Sequence, residues 1–189
     1  MKKILQNIVF TLCLVITAPL FLFYRFSKSR DLFAGQGQLL ALIPGKIGSY
    51  FRMAYYFMTL EKCSKVGYIG FGSFFAHPES ELGVGCYIGA YTIIGMAKIG
   101  DHVTIASHVS ILSGKNQHGF KDIGKPIQDQ PGIFRKIIIE ENCWIGNGAI
   151  VMADIGIQNV IAAGSVVTNS TGEYEILAGN PAKILKKLI

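Results

Sequence analysis

The sequence predicts an all-β fold: a parallel β-solenoid of hexapeptide repeats, with an apolar helical segment ahead of it and a short helix at the C-terminus. Three observations lead there. From about Val66 onward an aliphatic residue followed by a small one recurs every six positions. That beat stops once, over "SGKNQHGFKDIGKPIQDQPGIFRK", and then resumes. Residues 1–65 lack it and instead hold two long apolar stretches together with the basic excess.

The leading positions of the repeat are Leu82, Ile88, Ile94, Ile99, Ile105 and Ile111 before the break. After it they are Ile139, Ile145, Val151, Ile155, Ile161 and Val167. One unit in each block is shortened. A period of six is not helical and persists too long for a single alternating strand. It fits short strands on the flat faces of a prism, whose aliphatic leads point to the axis and stack from coil to coil. Glycine, asparagine and aspartate between the leads suit corners that need unusual backbone angles. One coil buries little alone, so several must stack. At 189 residues the chain accommodates one such domain and an appendage. The domain spans 66–189, with an extruded loop at 114–136.

The appendage, 1–65, opens with "MKKILQNIVFTLCLVITAPLFLFYRFSKSR". A basic start and an apolar run resemble a signal peptide, but the run from Ile8 to Tyr24 is long and is followed by Arg25, Lys28 and Arg30 instead of a small-residue cleavage site. Retention is expected. Seventeen helical residues reach about 25 Å, marginal for a bilayer core of about 30 Å, and Pro19 is expected to kink the helix. The second stretch, "LLALIPGKIGSYFRMAYYFMTL", mixes aromatics with Lys46 and Arg52 as interfacial helices do. The reading is an in-plane or re-entrant anchor on the cytoplasmic side of a bacterial inner membrane; packing of either stretch on the body is the alternative.

Residues 1–65 hold nine Lys/Arg and two acids, giving +7, and residues 66–189 hold nine and ten, giving −1. Basic charge beside apolar runs favours an anionic membrane surface. No helix with a basic recognition face and no aromatic-basic RNA motif is present, which excludes a nucleic-acid partner. Cys13, Cys63, Cys86 and Cys143 lie far apart with no metal-ligand spacing, so free thiols and no metal are expected.

The stretch "CWIGNGAIVMADIGIQNVIAAGSVVTNS…AGNPAKILKKL" resembles the C-terminal half of the hexapeptide-repeat acyltransferases, which include galactoside, maltose, xenobiotic and polysaccharide O-acetyltransferases. The resemblance covers roughly 66–189 and is sharpest from Trp144 to Lys187. It implies a left-handed helix sense, a homotrimer with active sites between subunits, and acetyl-CoA as acyl donor. It also gives the break a purpose, because in the family a loop leaves the prism at the matching place and carries a catalytic histidine. Here that residue is His118. A neutral imidazole can take the proton of a sugar hydroxyl as its oxygen attacks the thioester. Asp122, Asp129 or a backbone carbonyl could orient the ring. By the same resemblance Trp144, Gly146 and Asn147 flank the pantetheine and thioester end. Ala163, Ser165 and Thr168 follow the arm through backbone groups, and Lys183 and Lys186 meet the nucleotide phosphates. Where relatives commonly have lysine after the Thr168 position, this chain has Asn169. The acceptor-binding Asn/Asp residues that sugar acetyltransferases of the family carry in an earlier coil have no clear match around Cys86–Tyr91.

His102 and His108 occupy equivalent positions one hexad apart, which turns them onto different faces and away from a common ion. His77 sits where the solenoid begins, near the expected acceptor end. The implied activity is O-acetylation of a sugar in a surface polysaccharide or its lipid-linked precursor, with a glycan or glycolipid acceptor. N-acetylation of a nucleotide-linked amino sugar is the second reading. A non-catalytic solenoid scaffold is the third, and it gives no reason for the loop.

Overall fold

Aliphatic leads do stack into the axis of a prism. The computed structural model describes residues 2–189. Short strands form three sheets, one per face. The first face joins Lys62–Cys63, Glu81–Leu82, Ala97–Ile99 and Ile137–Ile139. The second runs from Gly67–Ile69 through Cys86–Ile88, Thr104–Ile105, Trp144–Ile145 and Val160–Ile161 to Glu175–Gly179. The third joins Phe74–Phe75, Ile93–Ile94, Ser110–Ile111, Ile150–Val151 and Val166–Val167. Neighbouring coils pair in parallel, lead against lead, as in Ile88↔Ile105 and Ile94↔Ile111. All twelve leads read from the sequence are at most 2% exposed. Each aliphatic side chain so buried contributes roughly 1.5–3 kcal/mol relative to an exposed one. The architecture is the β-helix that the repeat implies.

The coil starts earlier than the hexads suggest. Cys63, Ile69 and Phe75 keep the six-residue beat and pair in register with Leu82, Ile88 and Ile94. An aromatic and a cysteine at lead positions hid this first turn.

Two edges of the prism carry one left-handed residue per coil. On the edge between the first and second faces these include Gly85, His102, Asn142, Gln158 and Tyr174. Between the second and third faces they are Gly72, Tyr91, His108, Gly148 and Gly164. A non-glycine residue in this conformation costs about 1–2 kcal/mol. The cost is offset because each such N–H reaches the preceding coil: His102 donates to the Val84 carbonyl at 2.8 Å and His108 to Ala90 at 2.9 Å. His102 and His108 therefore stand on different edges, as expected, and the described residues contain no cluster of metal ligands.

The N-terminal segment forms helices α1 (Lys2–Ser27), α2 (Arg30–Ala41) and α3 (Gly45–Thr59). Most of the second apolar stretch packs on the body, the alternative to an interfacial helix. α3 is the lid on the first coil, where the open end of the solenoid leaves backbone groups without a neighbouring coil, and its first turn, with Lys46 and Ile47, stands exposed. Ser49 Oγ accepts from Ile69 N–H at 3.1 Å, Tyr56 Oη accepts from Phe75 N–H at 3.0 Å, and Gly72 N–H reaches the Ala41 carbonyl at 2.9 Å. Arg52 is fully buried. It donates to the Ile69 carbonyl from Nε and Nη2, and to the Leu40 and Ile43 carbonyls from Nη1. Leu40 is in the last turn of α2 and Ile43 lies just past it, at the negative end of the helix dipole, so a guanidinium without a carboxylate is well placed there.

α1 is one helix of 26 residues, about 39 Å long at 1.5 Å per residue. It is therefore longer than its apolar run suggests, and it continues through Pro19, which is exposed. Phe10, Cys13 and Thr17 form a buried stripe against the other helices, and Phe10 meets Phe57 of α3 edge-on. The opposite side presents Ile4, Leu5, Ile8, Leu12, Val15, Ile16, Phe23 and Phe26, all more than half exposed.

At the other end the expected C-terminal helix is absent. Ala182–Lys187 is a strand, antiparallel to Glu175–Gly179. "AKILKK" has good helix formers, but the last coil offers an unpaired strand edge, and a hairpin through Asn180 and Pro181 satisfies it.

Candidate active site

The loop between the third face and the first is a folded arm. Its two limbs are tied by Arg135 N–H to the Ser113 carbonyl at 2.9 Å and by Ile133 N–H to Asn116 at 2.7 Å. Farther out, buried Gln130 acts as an internal clasp, accepting from Asp122 N–H and donating to the Asp122 and Lys125 carbonyls. His118 projects from this arm and is exposed. Among the described residues its ring has no hydrogen-bond partner, and neither Asp122 nor Asp129 reaches it. The limbs touch beneath it. A Cβ at Gly132 would collide with the Gln117 carbonyl and come within 2.9 Å of His118 N. Gly132→Ala should therefore push the histidine off position. Because the atoms met are backbone, the limbs themselves must give, and we expect faster hydrogen exchange across the arm in Gly132→Ala than in wild type.

Two clefts meet at this arm. One, about 470 Å³, includes His118, Phe120, Asp122 and Gln130. The other, about 270 Å³, runs from Lys115 and Arg135 to Met152, Thr168 and Asn169. Asn116 and Ile133 line both. Thr168 thus lies on the same prism edge as the arm. Arg135 is held to Asp154 at 2.7 Å, and Lys136, at the foot of the arm, bonds Glu61 and Glu81 at 2.9 Å each. Burial alone would lower the Lys136 pKa, but the two carboxylates prevail and raise it.

The other expected site residues lie elsewhere on the prism. Trp144 stands half-exposed on the second face, and Gly146, Asn147 and Ala163 form the edge between the second and third faces. A Cβ at Gly146 would lie 2.5 Å from Ala163 N, so glycine lets these coils stack. Ser165 is buried, its Oγ accepting from Gly179 N–H at 3.2 Å, which gives its side chain a structural role. Lys183 and Lys186 sit on the hairpin strand. The register shifts there, with Ile176 opposite Lys186 and Ala178 opposite Lys183, so both lysines share the outward face that carries Ile176, Val160 and Trp144. One chain therefore sets the His118 cleft beside the Thr168 cleft and places Trp144 on one face with the lysines, and the whole third face separates the two groups.

Three thiols are poorly placed to act as nucleophiles. Burial pushes the Cys63 thiol up to about 12 and the Cys86 and Cys143 thiols up to about 11. His77 packs its ring against Phe134 of the arm at 5.8 Å, and burial lowers its pKa. It is a prop under the loop that its sequence position alone did not suggest.

The same prism is found in proteins of known structure. A maltose O-acetyltransferase from Clostridium difficile superposes with a TM-score of 0.71, covering 86% of this chain and 88% of that one at 21% identity. This chain is a hexapeptide-repeat β-helix. The hexapeptide-repeat fold is shared with AntD, an N-acyltransferase from Bacillus cereus solved with a dTDP-amino sugar and coenzyme A. There the TM-score is 0.54, with 69% of this chain and 85% of that one covered at 18% identity. In sequence, the chain is 39% identical over 56 residues to the galactoside O-acetyltransferase of Lactococcus lactis, covering 29% of this chain and 27% of that protein. The matches span between 27% and 50% of the lengths of the curated relatives. No family model matches the sequence.

Proposed function

We propose that the protein is an acetyl-CoA-dependent O-acetyltransferase acting on a sugar hydroxyl of a bacterial surface polysaccharide or its lipid-linked precursor. The observation that carries this is the folded arm, which holds an exposed, unpartnered histidine over a cleft on a hexapeptide-repeat prism. In this mechanism His118 takes the acceptor's hydroxyl proton as the oxygen attacks the thioester carbon. Backbone N–H groups at the prism edge steady the oxyanion, and the imidazolium returns the proton to the departing sulfur. Trp144 and the Gly146–Asn147 and Ala163 edge would flank the donor's arm, with Lys183 and Lys186 reaching its phosphates.

Self-association into a homotrimer supplies what one chain keeps apart. The arm of one protomer would lie against the Trp144 face of the next. Five large apolar side chains on the arm, Phe120, Ile123, Ile127, Ile133 and Phe134, are at least 51% exposed, as a surface awaiting a partner would be. The first face, by contrast, presents Lys62, Glu81 and Lys98.

The apolar outer side of α1, opposite its packed stripe, supports an in-plane anchor at the cytoplasmic face of the inner membrane. An N-acetyltransferase acting on a nucleotide-linked amino sugar is the second reading, favoured by the likeness to AntD. Thiol release from acetyl-CoA separates these readings. Release that depends on a glycolipid extract supports the first, and release with a nucleotide amino sugar alone supports the second. A chain that neither binds acetyl-CoA nor releases thiol is a scaffold.

A further inference from the structure

Where α1, α3 and the first coil meet, a cleft of about 350 Å³ opens, far along the sequence from the loop. Gln6, Asn7, Lys46, Tyr50, Lys65 and Tyr68 line it. Neither lysine forms an ion pair among the described residues. Lys65 instead lies over the Phe57 ring, 5.9 Å from its centre. The two acids of residues 1–65, Asp31 and Glu61, are not in the cleft, and Glu61 pairs with Lys136, so no carboxylate lines the cleft beside the two cations. The rim has the opposite character. Ile4, Leu5 and Ile8 flank the two amides on α1, and Ile47 and Val66 stand beside the lysines, all more than half exposed.

We propose that this cleft is a socket for the phosphate head group of an anionic membrane lipid, whose hydrocarbon chains run along the exposed side of α1. The proposal rests on the reading that α1 lies in a membrane interface. Two free ammonium groups, amide donors and two phenols suit a phosphate and its neighbouring hydroxyls. An aliphatic rim continuous with an apolar helix suits what is attached to that phosphate. A soluble anion would use the floor and leave the rim in water.

The test is flotation of the full chain with vesicles of phosphatidylcholine alone, or of phosphatidylcholine and phosphatidylglycerol in equal parts. We expect wild type to bind both, and the anionic vesicles roughly tenfold or more tightly. Lys46→Gln with Lys65→Gln should lose most of that gain while still binding phosphatidylcholine. Lys98→Gln with Lys187→Gln removes the same charge elsewhere and should keep it. Equal losses in both double variants would mean diffuse attraction and overturn the socket. So would release of the anionic vesicles by inorganic phosphate matched to the lipid, since the site would then be a plain anion site. Failure to bind either vesicle overturns the membrane reading itself, and the lipid ligand with it.

Discussion

His118→Ala is expected to lower kcat/KM for acetyl transfer by about 100- to 10,000-fold, the usual range for loss of a positioned general base. The melting temperature should stay unchanged, because the side chain is exposed and bonded to nothing among the described residues. His118→Ala should bind acetyl-CoA like wild type, which distinguishes a lost base from a lost site. The separation of the arm from the Trp144 face adds a sharper expectation for the proposed trimer. Chains carrying His118→Ala and chains carrying Trp144→Ala should each be nearly inactive alone. Co-assembled in equal amounts they should regain about a quarter of the wild-type rate, because in a cyclic trimer that fraction of junctions joins an intact arm to an intact face. Mixtures no more active than their parts would place the whole site within one chain and remove the intersubunit mechanism. Full activity in His118→Ala would leave the fold untouched and remove the base.

What could be read from the sequence follows from how the structure repeats. Wherever a coil stacks on an identical coil, the same position meets the same environment, so Ile88, Ile105, Ile145 and Ile161 announce one another across the chain. The arm was legible as the place where that rule fails, and His118 as the histidine within it. The two ends of the solenoid were not legible, because an end has no equivalent coil against which to compare it. Cys63, Ile69 and Phe75 obey the beat but meet helices on one side, so their sizes need not match the leads of the next coil. Lys46 and Arg52 look alike in sequence, yet one is exposed and the other fully buried, a difference set by the carbonyls of α2 and the first coil. At the C-terminus "AKILKK" follows helix propensity until the unpaired edge of Glu175–Gly179 overrides it. The lysines expected to meet phosphates share a face only because of the register shift opposite Ile176 and Leu177, which no periodicity forecasts.

Arg52→Met should destabilise the fold by about 3–5 kcal/mol, the cost of leaving buried polar groups without their charged partner. For a chain of this size that is a fall of roughly 10 °C in melting temperature. Ile69 accepts from Arg52 twice, at 3.1 and 3.0 Å, and Leu40 and Ile43 accept at 3.0 and 2.8 Å. Methionine fills much of the volume and spares the desolvation that lowers the arginine's pKa, but it offers no donor to any of them. If burying the charge were a net liability, Arg52→Met would be neutral or stabilising, as buried ion pairs replaced by apolar residues often are. Here the partners are backbone carbonyls that remain when arginine goes, so the sign should be destabilising. Arg52→Lys separates charge from geometry: it keeps the cation but loses the planar fork that spans α2 and the first coil, and should fall between wild type and Arg52→Met. Thermal melts of the three proteins decide it, and a shift under about 2 °C for Arg52→Met would show that the helices hold the first coil without this residue. Hydrogen exchange should locate the damage at the Ile69–Phe75 turn and α2 while the coils from Ile139 onward keep their protection, because in a solenoid each coil is stabilised chiefly by its neighbours.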